Sequence, residues 1–181
     1  MDRRCERKTM EYLDMYDENR CPLGFKRSRA EPYRSGEFHL IVHVCLMNKR
    51  GEMLIQQRSD RVSRWPGLWD LTIGGHVLAG EEPRHAVTRE MREELGLELS
   101  TANARIICRR MENRFDDTYV VSTEDIMNCS SEEDLQGKIV LQEEEVMAVR
   151  WASLKDVMDM IGDGRFLGYD TEFVKKLFTA D

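Results

Sequence analysis

No apolar run in this chain approaches the roughly 18 residues that a membrane span requires. The opening stretch, MDRRCERKTM, lacks the apolar segment of a secretory signal and reads as a flexible basic tail over residues 1–8. Cysteine is sparse and scattered: five residues, at 5, 21, 45, 108 and 129, odd in number and with no close pair. A disulfide framework or a zinc site is therefore not predicted, and a reducing, cytoplasmic setting is. An excess of positive charge is missing as well. Lys and Arg number 27 against 34 Asp and Glu, a formal net charge of −7, which argues against a nucleic-acid polymer as partner. A small phosphate-bearing ligand stays open, because a metal ion or a few arginines can reverse the sign locally. Repeats, low-complexity tracts and long linkers are absent, so the 181 residues predict one domain, residues 9–181.

What is present is strand and helix patterning on an ordinary globular composition, 41% hydrophobic and 34% charged. EYLDMYDENRCPLGFKRS predicts two short strands around a turn at residues 17–20. FHLIVHVCLMN, residues 38–48, is a mostly apolar run rich in strand formers and predicts a buried central strand. KRG turns it into a hairpin with EMLIQQRS, residues 52–59, and WPGLWDLTIGG supplies a turn and another short strand. A helix follows, with Pro83 in its first turn, Glu81 and Glu82 at its positive end, and Val87, Met91 and Leu95 as the core-facing stripe. Further strands are predicted over 104–111, 117–123 and 145–151. Ser153 with Asp156 forms a capping box that opens a helix burying Leu154, Val157, Met158 and Ile161. A last amphipathic helix spans 170–178. Strands and helices alternate without a strict βαβ rhythm, which predicts an α/β fold with a mixed sheet and helices on both faces.

One stretch resists a structural reading. REMREELG, residues 89–96, sets Glu90, Glu93 and Glu94 on one side of a helix near its end. Like charges at that spacing repel by a few tenths of a kcal/mol per pair. They also face the negative end of the helix dipole, since Gly96 is the stop signal. A solvated face is the plain reading; a bound positive charge is the functional one. The longer stretch decides between them. GHVLAGEEPRHAVTREMREELGL, Gly75 to Leu97, reads Gly, five residues, Glu, seven residues, Arg-Glu, an aliphatic, one residue, Glu-Glu, one residue, Gly, an aliphatic. Seven fixed identities at about 6% each would coincide with odds on the order of 10⁻⁹ per start.

This pattern resembles the complete Nudix box, and the likeness extends over about residues 9–178. The resemblance implies a Nudix-like α/β/α sandwich, a loop–helix–loop that holds Mg2+ or Mn2+, and hydrolysis of a diphosphate linked to another group. Carried over by position, Glu90, Glu93 and Glu94 supply the metal carboxylates, with the Gly75 carbonyl as a further ligand. Glu93 or Glu94 is the base within the box, and Arg89 orients the glutamates by pairing with Glu81. Arg58 either contacts a substrate phosphate or is an exposed strand-end cation. His76, next to the box glycine, is placed near the metal and substrate. Glu143, Glu144 and Glu145 offer an additional base or ligand, or simply a charged loop. His39 and His43 share one strand face, as a transition-metal site or as hydrogen-bonded interior residues. Trp65, Pro66 and Trp69 read as core packing, with stacking on a nucleobase as the other reading.

The chain also resembles isopentenyl-diphosphate isomerase, a Nudix relative that moves a double bond by proton transfer. FHLIVHVCLMNKRGEMLIQQRS, WPGLWD and EEEVMAVRWASLKDVM carry that likeness. The isomerase cysteine is replaced by Gly74, its proline by Val77, and its Glu-x-Glu pair by no more than Asp116 and Asp117. A glycine cannot supply the lost proton donor. The reading is a hydrolase on an isomerase-like scaffold acting on a small-molecule diphosphate, with the isomerase and a non-catalytic Nudix-fold binding module as alternatives. A second copy of the chain stays open as a partner.

Overall fold

The computed structural model describes residues 10–127 and 129–179. The tail expected at residues 1–8, with Cys5, lies outside the described residues. β1 (Tyr12–Tyr16) and β2 (Pro22–Ser28) form a separate antiparallel pair, as the sequence predicts. β3 (His39–Met47) is the centre of the main sheet, and seven of its nine residues are buried. Its whole length runs parallel to β8 (Arg114–Ser122), which starts three residues before the predicted strand and carries β7 (Arg105–Arg110) antiparallel.

The other edge of β3 is shared. β6 (Ile73–His76) pairs antiparallel with Ile41–Val44, while β4 (Met53–Arg58) meets β3 only at Met47–Met53. The predicted hairpin therefore exists at its turn, where the Glu52 carbonyl accepts from the Asn48 amide, but its strands part. Thr72 stitches the opening: its hydroxyl accepts from the Leu46 amide at 2.9 Å and donates to the Leu54 carbonyl. Past that point β4 pairs antiparallel with β9 (Val146–Ala152) and with the two-residue β5 (Trp69–Asp70).

Side chains alternate across β3 and so build two cores. Leu40, Val42, Val44 and Leu46 pack with Val87, Met91 and Leu95 of α1 (Pro83–Leu95). Cys45, Met53 and Ile55 pack with Val157 and Met160 of α3 (Leu154–Gly162) and with Phe173, Val174 and Leu177 of α4 (Thr171–Phe178). Helices thus cover both faces of a mixed sheet, the expected sandwich. The Ser153–Asp156 capping box opens α3. Met160 is fully buried there, while Leu154, Met158 and Ile161 are only partly so. A short α2 (Glu132–Lys138), capped by Ser131, was not predicted. Cys21, Cys45, Cys108 and Cys129 are free thiols, and no helix among the described residues is long and apolar enough to cross a membrane.

Candidate active site

α1 places the acidic cluster. Pro83 fixes its first turn, and Gly96 ends it at φ 69°, a left-handed conformation that favours glycine. Glu82 is the N-cap residue but makes no side-chain cap. Glu81 is not turned to the helix N-terminus either; it accepts from Arg89 at 3.0 and 2.9 Å and from the Leu78 amide. Arg89 is the hub. Its remaining contacts reach Glu90 at 2.8 Å, Glu93 at 3.3 Å and the His76 carbonyl at 2.9 Å. One guanidinium therefore fixes the loop before α1 against two of the three box carboxylates.

The three glutamates share one side of α1 but differ in exposure. Glu93 is half exposed. Glu90 lies over Gly75: a β-carbon there would sit 2.0 Å from Glu90 Oε1. Glycine at 75 is thus what lets the carboxylate reach the β6 backbone. Glu94 is buried among Gln56 and the sheet, and its Oε2 has no hydrogen-bond partner. The cause is geometric. With Val87, Met91 and Leu95 in the core, position 94 is pulled under the loop at 139–145. That loop is tied to the helix end by Val140 and Gln142 amides donating to the Leu95 and Glu94 carbonyls.

Burial pushes the Glu94 carboxyl well up, reinforced by the charges of Glu90, Glu145 and Asp70. Burial also pushes Glu90 up, to about 7, against the opposing pull of Arg89. These groups resist ionising unless positive charge arrives. Among the described residues no three His, Cys, Asp or Glu side chains already stand together as a metal cage.

The remaining sequence candidates scatter. Arg58 at the end of β4 donates from Nε to the Arg64 carbonyl at 3.1 Å, and its Nη1 lies 3.4 Å from Asp70 Oδ2. It is partly covered rather than an exposed strand-end cation. Glu143, Glu144 and Glu145 are exposed in a turn. Their backbone is pinned by Ser59, which donates to the carbonyls of Glu143 and Glu145, while Glu144 faces Arg61 at 3.7 Å. Only Glu145 bears electrostatically on Glu94.

His76 stacks on His39 at 5.2 Å, and His39 on Tyr33 at 4.5 Å. Burial and the nearby Arg29 push His76 down to about 2, and burial and Arg114 push His39 down to about 4. Both are neutral rings at neutral pH. His43 is not beside His39 in function: its Nδ1 is 2.9 Å from Asp116 Oδ1. The expected core packing fails for Trp65, which is half exposed with φ 49°, and holds for Trp69, packed against the second core.

The position of the missing isomerase cysteine is also occupied. A β-carbon at Gly74 would lie 2.6 Å from His43 Cδ2. Asp116 and Asp117 point to opposite faces, the first to His43 and Arg109 and the second to Arg20, so they cannot act as a pair. Gln56 and Asp70 border the site, Tyr169 donates to Asp70, and none of the three was singled out from sequence. The signal available was a lone Asp between Trp69 and the largely apolar Leu71-Thr72-Ile73 run.

Comparison with known proteins fits this geometry. The NUDIX domain family model matches residues 37–169. The chain is 34% identical over 171 residues to the Nudix hydrolase lmo0368 of Listeria monocytogenes, covering 93% of this chain and 94% of that protein. It is 29% identical over 152 residues to an isopentenyl-diphosphate Delta-isomerase of Salmonella arizonae, covering 83% and 81%. Among solved structures, the DR0079 protein of Deinococcus radiodurans superposes with a TM-score of 0.71 at 22% identity, over 93% of this chain and 100% of that one. The chain belongs to the Nudix family. Relatives named Nudix hydrolases match it over nearly the whole length of both chains, and it is a Nudix hydrolase.

Proposed function

We propose that this protein is a metal-dependent hydrolase that cleaves the diphosphate linkage of a nucleoside diphosphate joined to another group, or of a related organic diphosphate, in the cytoplasm. One observation carries the reading: Glu94, buried at the end of α1, holds an oxygen that no protein group satisfies, beside a second buried carboxylate, Glu90. A buried carboxylate without a partner costs several kcal/mol by order of magnitude. A divalent cation offsets that cost, and Mg2+ or Mn2+ suits hard oxygen donors. The donor set fits: Glu90, Glu93 and Glu94, with the Gly75 carbonyl on the strand that Glu90 touches.

When bound, the cation supplies charge neutralisation for the diphosphate and its attacking water. The residues do the rest. In its ionised form Glu94 would take a proton from the water whose oxygen bonds to phosphorus as the anhydride P–O bond breaks. Arg89 holds Glu90 and Glu93 in place while anchoring to Glu81. Arg58 binds phosphate oxygen, and Glu145 adds negative charge beside Glu94. The isomerase reading is disfavoured because Gly74 carries no side chain to donate a proton and His43 occupies the space over it.

The test is a panel of diphosphates with Mg2+ or Mn2+ in 18O-water, with products read by mass. Turnover should require the metal and place one 18O in one phosphate product. It should fall by roughly a hundredfold or more in Glu94→Gln. Allylic isomer from isopentenyl diphosphate would revive the isomerase, and binding without any turnover would make the chain a ligand-binding module.

A further inference from the structure

A string of polar side chains runs through the second core to Arg58, and the reaction as described uses only that last residue. It begins at the sheet edge, where Arg109 of β7 pairs with Asp116 of β8. Asp116 is fully buried, and its other oxygen meets His43 Nδ1 at 2.9 Å. His43 Nε2 lies 3.5 Å from the hydroxyl of Tyr169, which donates to Asp70 Oδ1 at 2.6 Å. The Leu71 amide donates to that same Oδ1 at 2.8 Å. Two donors on Oδ1 leave Oδ2 turned to Arg58, 3.4 Å away. The carboxylate is thus oriented by one backbone and one side-chain donor, and what it presents is a fixed negative oxygen to the strand-end arginine.

Tyr169 is itself held in place. Its segment lies along β5: the Trp69 amide donates to the Arg165 carbonyl and the Leu167 amide to the Trp69 carbonyl, each at 2.9 Å. Its ring meets His43 edge-on at 6.1 Å and packs against Phe166 and Phe173. Arg58 is therefore fixed at two corners, Nε on the Arg64 carbonyl and Nη1 on Asp70. A planar guanidinium so held offers its remaining edge in a set direction, which is what bidentate phosphate recognition needs.

We propose that Tyr169 and Asp70 are positioning residues for Arg58: the segment between α3 and α4 latches onto β5 and, through the Tyr169 hydroxyl, aims the arginine that receives the diphosphate. The assignment rests on the reading of Arg58 as a phosphate ligand. Neither Tyr169 nor Asp70 touches substrate.

The test uses methylenediphosphonate, a diphosphate whose bridge cannot be hydrolysed, titrated calorimetrically into the full chain with Mg2+. Arg58→Ala should weaken binding roughly tenfold or more. Asp70→Asn and Tyr169→Phe, both nearly isosteric, should weaken it several-fold, with thermal melts confirming that the variants fold. The decisive measurement is coupling: Tyr169→Phe should cost little further affinity in the Arg58→Ala background. Equal losses in both backgrounds would mean a general structural effect and overturn the proposal. So would unchanged affinity in either isosteric variant, or unchanged affinity in Arg58→Ala. Hydrolysis is read separately. A chain that binds the probe with this coupling but turns over no diphosphate refutes the hydrolase and leaves the positioning role standing.

Discussion

Gly74 and Gly75 are neighbours on β6, and what lies over them differs in kind. Over Gly74 sits His43, in a cluster where every charge has an opposite: Asp116 with His43 and Arg109, Asp70 with Arg58. Burial pushes the Asp116 carboxyl up, but His43 and Arg109 outweigh it and hold it well below the usual carboxylate range. His43 mirrors this. Burial pushes the imidazole down, Asp116 pulls it up by more, and the net shift is upward. Over Gly75 sits Glu90, and next to it Glu94, with only Arg89 against three box carboxylates. Here burial wins, and both carboxyls are raised. Two clusters of buried charge on two faces of one sheet have opposite electrostatics. The balanced one needs no further charge. The unbalanced one stores a cost that a ligand can relieve, and it coincides with the family's box.

The largest effect should come from relieving that cost without the ligand. Glu94→Gln removes the buried ionisable carboxyl and the proton acceptor together. Turnover of the best diphosphate should fall roughly 10²–10⁴-fold, while the metal-free protein melts at a higher temperature than the parent. Loss of activity with a lower melting temperature would place Glu94 in the balanced class and break the contrast.

The balanced cluster should respond the other way. Asp116→Ala strands His43 and Arg109 in the interior, and breaking a buried pair from one side costs about 3–5 kcal/mol. Urea unfolding reads this directly. A cost below about 1 kcal/mol, the range of exposed pairs, would show that water reaches the cluster.

How much of this contrast was readable beforehand follows from what each cluster is made of. The box is local: its residues are fixed by spacing on one helix, so their shared side and the Gly96 stop were legible, as were the Ser153 cap and the alternation of β3. The balanced cluster is not local. Arg109, Asp116, His43, Tyr169 and Asp70 come from five separate segments, and only the parallel β3–β8 pairing joins the middle of it. The same limit hides the burial of Glu94. Helix phase gives the side of a residue, but the loop at 139–145 that covers it is a tertiary feature. α2 was missed for a different reason. EEDLQGK carries one buried residue, Leu135, and so no amphipathic period to detect.

Acidity offers a sharper comparison. Glu90 sits at about 7 in the folded protein against an ordinary value of 4.5. The folded state therefore keeps a proton that the unfolded chain releases between those values, and stability falls as pH rises through that window. His39 and His76, held down to about 4 and about 2, push the other way below their unfolded value of 6.5. The measurement must therefore be a difference. In EDTA, Glu90→Gln should match the parent near pH 4.5 and exceed it by at most about 3 kcal/mol near pH 7. Saturating Mg2+ should shrink the gap by stabilising the parent. A difference that stays flat across the range would mean that Arg89 already neutralises Glu90.

The smallest effect tests redundancy. Asp116 accepts from Thr118 Oγ1 at 3.1 Å as well as from His43 and Arg109. Thr118→Val deletes one donor of three while keeping shape, so it should cost only about 1 kcal/mol, and Thr118→Ser should recover most of that. Glu94 Oε2 has no such reserve, because it has no donor to lose. If Thr118→Val instead cost as much as Asp116→Ala, the cluster would be a single brittle chain rather than a set of overlapping pairs. Its charge balance would then be no sturdier than that of the box, and the two faces of β6 would differ in sign but not in tolerance.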